Sequence, residues 1–498
     1  MTEFTRRAVL KSGAAMTAFS TFFTACAPQS TSTATAETGF MDGVRTAELI
    51  AKGEITASEA TEAAIARAEA VNPKINAIAT PGFDAAREMA AANPQGAMGG
   101  VPTFIKDLAD WKGLPTLFGS RAFKGNMAQS DGMLSAAWRN QLGIVTLGKS
   151  TSPEMGLISS TEPAVTGPTR NPWNTDHIPG GSSGGAAALA AARVVPFAHA
   201  SDGGGSIRIP AACCGLFGLK PSHQAAPIGR PNQEGGPVDI SVDLCVSNTV
   251  RDSAAIFAAT ARSEALRKPI LGPDSKRLKI AFAPLPISDA PLNGEVQAEL
   301  EQTAALCRAL GHEVIDYKPA LDGDKFSDTF LLYWSAGAAQ FAQDAASFAG
   351  KPPSPEILEI WTLGLAQNFL SRATELESAI GYLQAFKGQY DAMFTDNGFD
   401  ILLTPTVSAP APRIGTQDPM GDFDTVMKNV LDFAAFASPM NVAGAASMSV
   451  PLGQSSGGLP IASMFSGRKG DDLMLLALAY ELEEAKPWIN RLPSVVAS

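Results

Sequence analysis

Apolar positions along the chain recur at helical spacing in some stretches and at strand spacing in others. Thr56 and Glu59 have the S/T-x-x-E spacing of a capping box, and Ile65 and Ala68 then fall on one helix face. Asn72-Pro73 predicts the end of that helix, and Ile75-Asn76-Ala77-Ile78 reads as a short strand. Further on, Val296, Leu300, Thr303, Ala304, Cys307 and Leu310 repeat at helical spacing, Gly311 closes the run, and His312 to Tyr317 reads as a strand. Cys307 is therefore a core residue. Arg277 to Phe282 and Asp400 to Thr404 also read as strands beside helical segments, so the alternation predicts α/β layers rather than a helical bundle or a β-sandwich. No internal repeat or long linker follows residue 39, which predicts one large domain over 39–498. Its aromatic-rich stretch at 327–387 (Phe330, Tyr333, Trp334, Phe341, Trp361, Phe369) is a candidate helical cap, with ordinary core packing as the alternative for most of these rings.

The first residues break this pattern. A basic stretch, Thr5-Arg6-Arg7-Ala8-Val9-Leu10-Lys11, precedes an uncharged run of 13 residues, Gly13 to Ala25. That run is shorter than the roughly 20 apolar residues a membrane-spanning helix needs. The arginine pair resembles a twin-arginine export signal, so residues 1–26 are expected to be a leader and the product exported to the periplasm or cell envelope. Phe23-Thr24-Ala25-Cys26 resembles a lipoprotein processing box; lipidation of Cys26, the one membrane attachment considered, and plain cleavage near Ala25 are the alternatives. Residues 27–38 are polar and Ser/Thr-rich, as a linker would be.

Composition narrows the function. With 38 Lys plus Arg against 49 Asp plus Glu, the net charge is −11, the wrong sign for nucleic acid. The five cysteines lack paired zinc spacing, and no metal or organic cofactor is expected. Four histidines, His177, His199, His223 and His312, leave the last third of the chain without one, which makes a His-dependent triad hard to assemble.

The densest chemical signal is a pair of glycine-rich loops flanking an Ala-rich helical run: Gly180-Gly181-Ser182-Ser183-Gly184-Gly185 and Asp202-Gly203-Gly204-Gly205-Ser206. Such loops converge backbone N–H groups on a phosphate or on an oxyanion. The Lys-Ser/Thr ending of a P-loop is missing, and so is G-x-G-x-x-G spacing after a strand. Gly181 to Gly185 also fits the G-x-S-x-G elbow of α/β-hydrolases with Ser183 as nucleophile, but the same pattern recurs at Gly453 to Gly457, and no histidine follows His312. Ile207-Arg208-Ile209-Pro210 reads as a strand-like segment built into the stretch, which argues against a flexible linker.

From Gly180 through Cys214-Gly215-Leu216-Phe217-Gly218-Leu219-Lys220-Pro221, this stretch resembles the defining block of the amidase signature family of serine amide hydrolases. Similar pieces lie upstream (Gly100-Val101-Pro102-Thr103-Phe104-Ile105-Lys106-Asp107, Gly148 to Met155, Gly167 to Asn174) and downstream (Asp400 to Thr406, Asn441 to Gly444, Ser449-Val450-Pro451, Gly458 to Ile461). The resemblance implies an α/β/α sandwich with a central mixed β-sheet. It also implies that Ser206 is the nucleophile, Ser182 a bridging serine with a cis peptide bond, and Lys106 the general base. A lysine works as a base only when burial lowers its pKa from about 10.4. The N–H groups of Gly203, Gly204, Gly205 and Ser206 are then the implied oxyanion hole, and Met155 is placed in the acyl pocket or in the core. Asp107, Asp202 and Arg208 are expected to brace loops, and Cys213 and Cys214 to pack. Ala200-Ser201, in place of Gly-Thr, and Ala446, in place of Pro, depart from the family pattern. Within the family the chain is most similar to the 6-aminohexanoate-cyclic-dimer hydrolase group, which implies linear or cyclic amides of medium-chain amino acids, or carbamates, as small-molecule substrates. A homodimer is a further expectation. The rival functions are an α/β-hydrolase esterase using Ser183 and an exported solute-binding protein.

Overall fold

The structure is a computed structural model that describes residues 41–229 and 236–497; the expected leader, linker and Cys26 lie outside the described residues. In chain order, helices α1 (Gly43–Ala51) and α2 (Ala57–Ile75) lead into β1 (Ile78–Pro81), α3 (Phe83–Ala91), β2 (Pro102–Lys106), α4 (Met133–Ala137) and β3 (Val145–Ser150). Next come α5 (Gly184–Ala191), β4 (Phe197–Asp202), α6 (Arg208–Cys214), β5 (Phe217–Lys220), β6 (Val242–Ser247) and α7 (Val250–Thr260). β7 (Lys279–Phe282), α8 (Gly294–Ala309) and β8 (Glu313–Asp316) precede three long helices, α9 (Gly323–Ala349), α10 (Ile360–Arg372) and α11 (Leu376–Asn397). The chain closes with β9 (Ile401–Pro405), α12 (Phe423–Phe433), α13 (Ser438–Ala443), β10 (Ser447–Gln454), β11 (Pro460–Ser466) and α14 (Asp472–Ala485).

The strands form an eight-stranded sheet in the order β4-β6-β5-β10-β11-β9-β7-β8 and a small sheet in the order β1-β3-β2. The large sheet is mixed: β7 runs parallel to β8 and β9, and the other pairs are antiparallel. Helices surround it, so the expected α/β architecture holds. Because helices cover both faces, β4, β5, β6 and β9 are buried along their whole length instead of alternating with solvent. Helices α9 to α11 run from 323 to 397, across the aromatic-rich stretch at 327–387.

Local readings fared unevenly. The capping box at Thr56 forms, with Thr56 Oγ1 accepting from Glu59 N at 3.1 Å and Glu59 Oε2 accepting from Thr56 N at 2.8 Å. The α2 helix does not stop at Asn72-Pro73; it continues to Ile75 and ends on Asn76 in the left-handed region. Asn72 supports the overrun: its carbonyl accepts from Asn76 N and its side chain from Ala77 N, both at 2.8 Å. Consequently the strand starts at Ile78, not Ile75. Ile207 to Pro210 is not extended either. Pro210 sits in the first turn of α6, where a missing N–H costs nothing, and Asp202 accepts from Ile207 N and Arg208 N at 3.1 and 3.4 Å.

Candidate active site

Lys106 ends β2 and is fully buried. Its Nζ donates to Ser182 Oγ at 2.8 Å and to Ser201 Oγ at 2.9 Å. Ser182 follows a cis peptide bond after Gly181 and precedes α5, a helix buried on every side because its glycines and alanines let it pack tightly. Gly156, at φ +73°, lies so close that a Cβ would stand 2.9 Å from Ser182 Oγ.

Ser206 comes from the turn between β4 and α6. Asp202 shapes this turn by accepting from Gly205 N at 2.7 Å and from Ile207 N and Arg208 N. The Gly205 N–H is thereby taken out of the expected oxyanion-hole set, while those of Gly203, Gly204 and Ser206 are left by Asp202. Gly205 has φ +132°, and a Cβ there would meet Ile209 at 2.6 Å and Ala437 at 2.8 Å, so the turn needs glycine. Arg208 braces it from beneath: both side chains of the pair are fully buried, with Nε and Nη2 at 2.9 and 3.0 Å from Asp202. Asn441 donates to Asp202 Oδ1 at 2.8 Å and accepts from Arg208 Nη2 at 2.6 Å. Burial alone would raise the Asp202 carboxyl, but the Arg208 charge and these hydrogen bonds hold it well below the ordinary carboxylate range.

The structure thus joins Lys106 to Ser182 directly. No hydrogen bond joins Ser206 to Ser182 among the described residues. Ser206 instead opens, with Gly181 and Gly204, onto a cavity of about 410 Å³ that Phe330, Trp334 and Trp361 also line. Both indole N–H groups are spent on the Leu157 carbonyl, at 3.1 Å each, so these rings offer the cavity apolar surface.

The other expected residues separate. Met155 packs against Phe118 and Trp361 clusters but does not line the cavity; its neighbours Gly156 and Leu157 do. Its backbone is left-handed, at φ 51°. Ser183 is fully buried, with Oγ 3.3 Å from both Ser201 O and Ser201 N, and is not on the cavity wall. Asp107 accepts from Leu117 N at 3.0 Å and Gly119 N at 3.4 Å, a loop-bracing role; burial pushes its carboxyl up to about 6 against the nearby Lys149 charge. Burial likewise pushes Lys149 down to about 8. Cys213 and Cys214 are buried free thiols whose pKa values burial raises. Among the described residues no cluster of His, Cys, Asp and Glu could hold a metal, and no helix is long and apolar enough to cross a membrane. Sequence reasoning missed Ser201, Asn441, Gly156 and the pair His199 and Asp243. Ser201 had stood out only as a departure from the family pattern.

The layered mixed sheet, with a buried lysine and serine beside a glycine-rich serine turn, defines a class. The chain belongs to the amidase family, whose pattern matches residues 59–476, and it is a hydrolase of carbon–nitrogen bonds. Among its relatives, the 6-aminohexanoate-cyclic-dimer hydrolase of Pseudomonas sp. (strain NK87) is 32% identical over 486 residues, covering 92% of this chain and 97% of the relative. A protein of Mycobacterium tuberculosis (strain ATCC 25618 / H37Rv) named as an amidase, AmiC, is 39% identical over 459 residues, covering 90% and 95%. The solved structure of 6-aminohexanoate cyclic dimer hydrolase superposes with TM-score 0.82 at 30% identity, covering 91% of this chain and 99% of that one. A bacterial aryl acylamidase superposes at 0.78 with 26% identity, covering 91% and 98%.

Proposed function

We propose that the protein is a serine amidase that cleaves small or medium-chain linear or cyclic carboxamides, or carbamates, through an acyl-enzyme on Ser206. The observation that carries this reading is the buried 2.8 Å contact between Lys106 Nζ and Ser182 Oγ beside a cavity that Ser206 lines. With Lys106 neutral, Ser206 passes its proton to Ser182 as its Oγ attacks the carbonyl carbon, and Ser182 passes its own to Lys106. The N–H groups of Gly203, Gly204 and Ser206 meet the oxyanion, with Gly205 holding the turn. Lys106 returns the proton through Ser182 to the departing amine, the C–N bond breaks, and water then hydrolyses the ester. The cavity falls within the roughly 300–1,000 Å³ of small-molecule sites, and its aromatic wall favours an apolar acyl chain. The cyclic-dimer hydrolase relatives support amides of medium-chain amino acids.

Fluorophosphonate labelling followed by peptide mapping tests the nucleophile without knowledge of the substrate. Label is expected on Ser206, with loss in Ser206→Ala and a fall of about 10² to 10⁴ in labelling rate in Lys106→Ala. Normal amide turnover by Ser206→Ala, or label on Ser183, would overturn the reading.

A further inference from the structure

Two sheet edges meet at this site. β2 borders the small sheet and β4 borders the large one. They are tied across the seam by side chains: Thr103 Oγ1 donates to Phe197 O at 2.8 Å, Lys106 N donates to His199 Nδ1 at 3.2 Å, and Lys106 Nζ reaches Ser201. Lys106 N therefore finds on an imidazole the acceptor that a neighbouring strand would otherwise supply.

His199 is fully buried, and its other nitrogen, Nε2, lies 2.9 Å from Asp243 Oδ1 on β6. Asp243 Oδ2 accepts from Gly229 N at 3.0 Å, and Trp138 stands edge-on to the imidazole with centroids 5.4 Å apart. Because a backbone N–H points at Nδ1, that nitrogen must be the acceptor, and the ring proton must sit on Nε2 and donate to Asp243. Burial, with the Lys149 charge, favours the neutral ring, and Asp243 opposes them.

We infer that His199, held in a single tautomer by Asp243, is a positioning residue for amide hydrolysis. It pins the backbone of the general base to β4, and the turn that follows β4 carries Ser206, so one imidazole fixes base and nucleophile relative to each other. Neither His199 nor Asp243 lines the cavity. The inference rests on Lys106 acting as the base.

Asp243→Asn is the discriminating variant. The amide can accept from Gly229 N with its oxygen and must then present N–H to Nε2, which moves the ring proton to Nδ1 and sets two donors against each other at Lys106. The expected result is a fall of about tenfold to 10²-fold in kcat and in the rate of Ser206 labelling, with KM little changed, because base and nucleophile are misplaced while the cavity is intact. Nitrogen-15 NMR of the histidine-labelled full-length protein should report Nε2–H in the wild type and Nδ1–H in Asp243→Asn. In a second pair, His199→Asn keeps an acceptor near Lys106 N and should retain more kcat than His199→Leu, even if Asp243→Asn does not fold. Wild-type kcat and labelling in folded Asp243→Asn, equal kcat in the two His199 variants, or Nδ1–H in the wild type would overturn the inference. Retained turnover in Lys106→Ala would instead sink the base assignment, which separates the two failures.

Discussion

Arg208→Met removes the cation beneath the nucleophile turn, and its effect can be worked from the geometry. Asp202 would keep the Gly205 and Ile207 N–H groups and the Asn441 amide but lose the two guanidinium bonds at 2.9 and 3.0 Å. Breaking a fully buried pair from one side costs about 3–5 kcal/mol. An unfolding entropy of ~2.1 cal/mol/K per residue gives ~1 kcal/mol/K for a chain of this size, so Tm should fall by about 3–5 °C. The loss should also depend on pH. In the wild type the folded pKa of Asp202 is depressed, so its stabilisation is present above the ordinary value of 3.8 and is lost as pH falls through the folded value. In the variant burial raises the folded pKa, and the charged carboxylate becomes a growing liability as pH rises. The Tm gap between the two proteins should therefore be wide at pH 8 and narrow towards pH 4.5, read by circular dichroism melts. Asp202→Asn combined with Arg208→Met should cost less than the sum of the single changes. Equal gaps at both pH values, together with additive single effects, would refute the reasoning.

Gly156→Ala should cost about 1–2 kcal/mol in the melt for its left-handed backbone, and it should lower kcat because its Cβ presses on Ser182 Oγ; unchanged kcat would show that Ser182 tolerates displacement. Desolvation and the Asp42 charge push the Glu483 carboxyl up to about 8 against the Val250 N–H. A raised folded pKa means that stability is lost as pH rises from about 4.5 to about 8, so Glu483→Gln should melt at the same temperature as wild type at pH 4 and above it at pH 9. Trp334→Ala should narrow the preference for hexanoyl over acetyl anilides by about tenfold, equivalent to ~1.4 kcal/mol, measured as the ratio of kcat/KM values.

What could be read from the chain divides by distance. The capping box at Thr56, the α8 helix and the strands before and after it follow from neighbours within a few residues, and they formed as the periodicity predicts. Lys106, Ser182 and Ser206 were legible because whole stretches of sequence around them resemble one family, not because spacing brings them together. The partners that hold these residues were not legible. Asn441 reaches Asp202 across 239 positions and Asp243 reaches His199 across 44, and nothing local marks either. The Ile207 to Pro210 segment misled because the Asp202 carboxylate, just before it, accepts from the Ile207 and Arg208 N–H groups and winds it into the first turn of α6.

The meeting of β2 and β4 bears on more than geometry at the reacting atoms. An uncovered sheet border is a template on which a second chain can add a strand, and proteins usually blunt such borders with charge. β8, at the far side of the large sheet, does so with exposed Glu313 and Asp316. β4 has no such guard over Phe197 to Ala200 and is shielded by β2 instead. Loosening the seam to move the lysine would also uncover an apolar border, so variants that weaken it should clump on warming before they unfold, and selection for solubility would preserve the same contacts as selection for turnover.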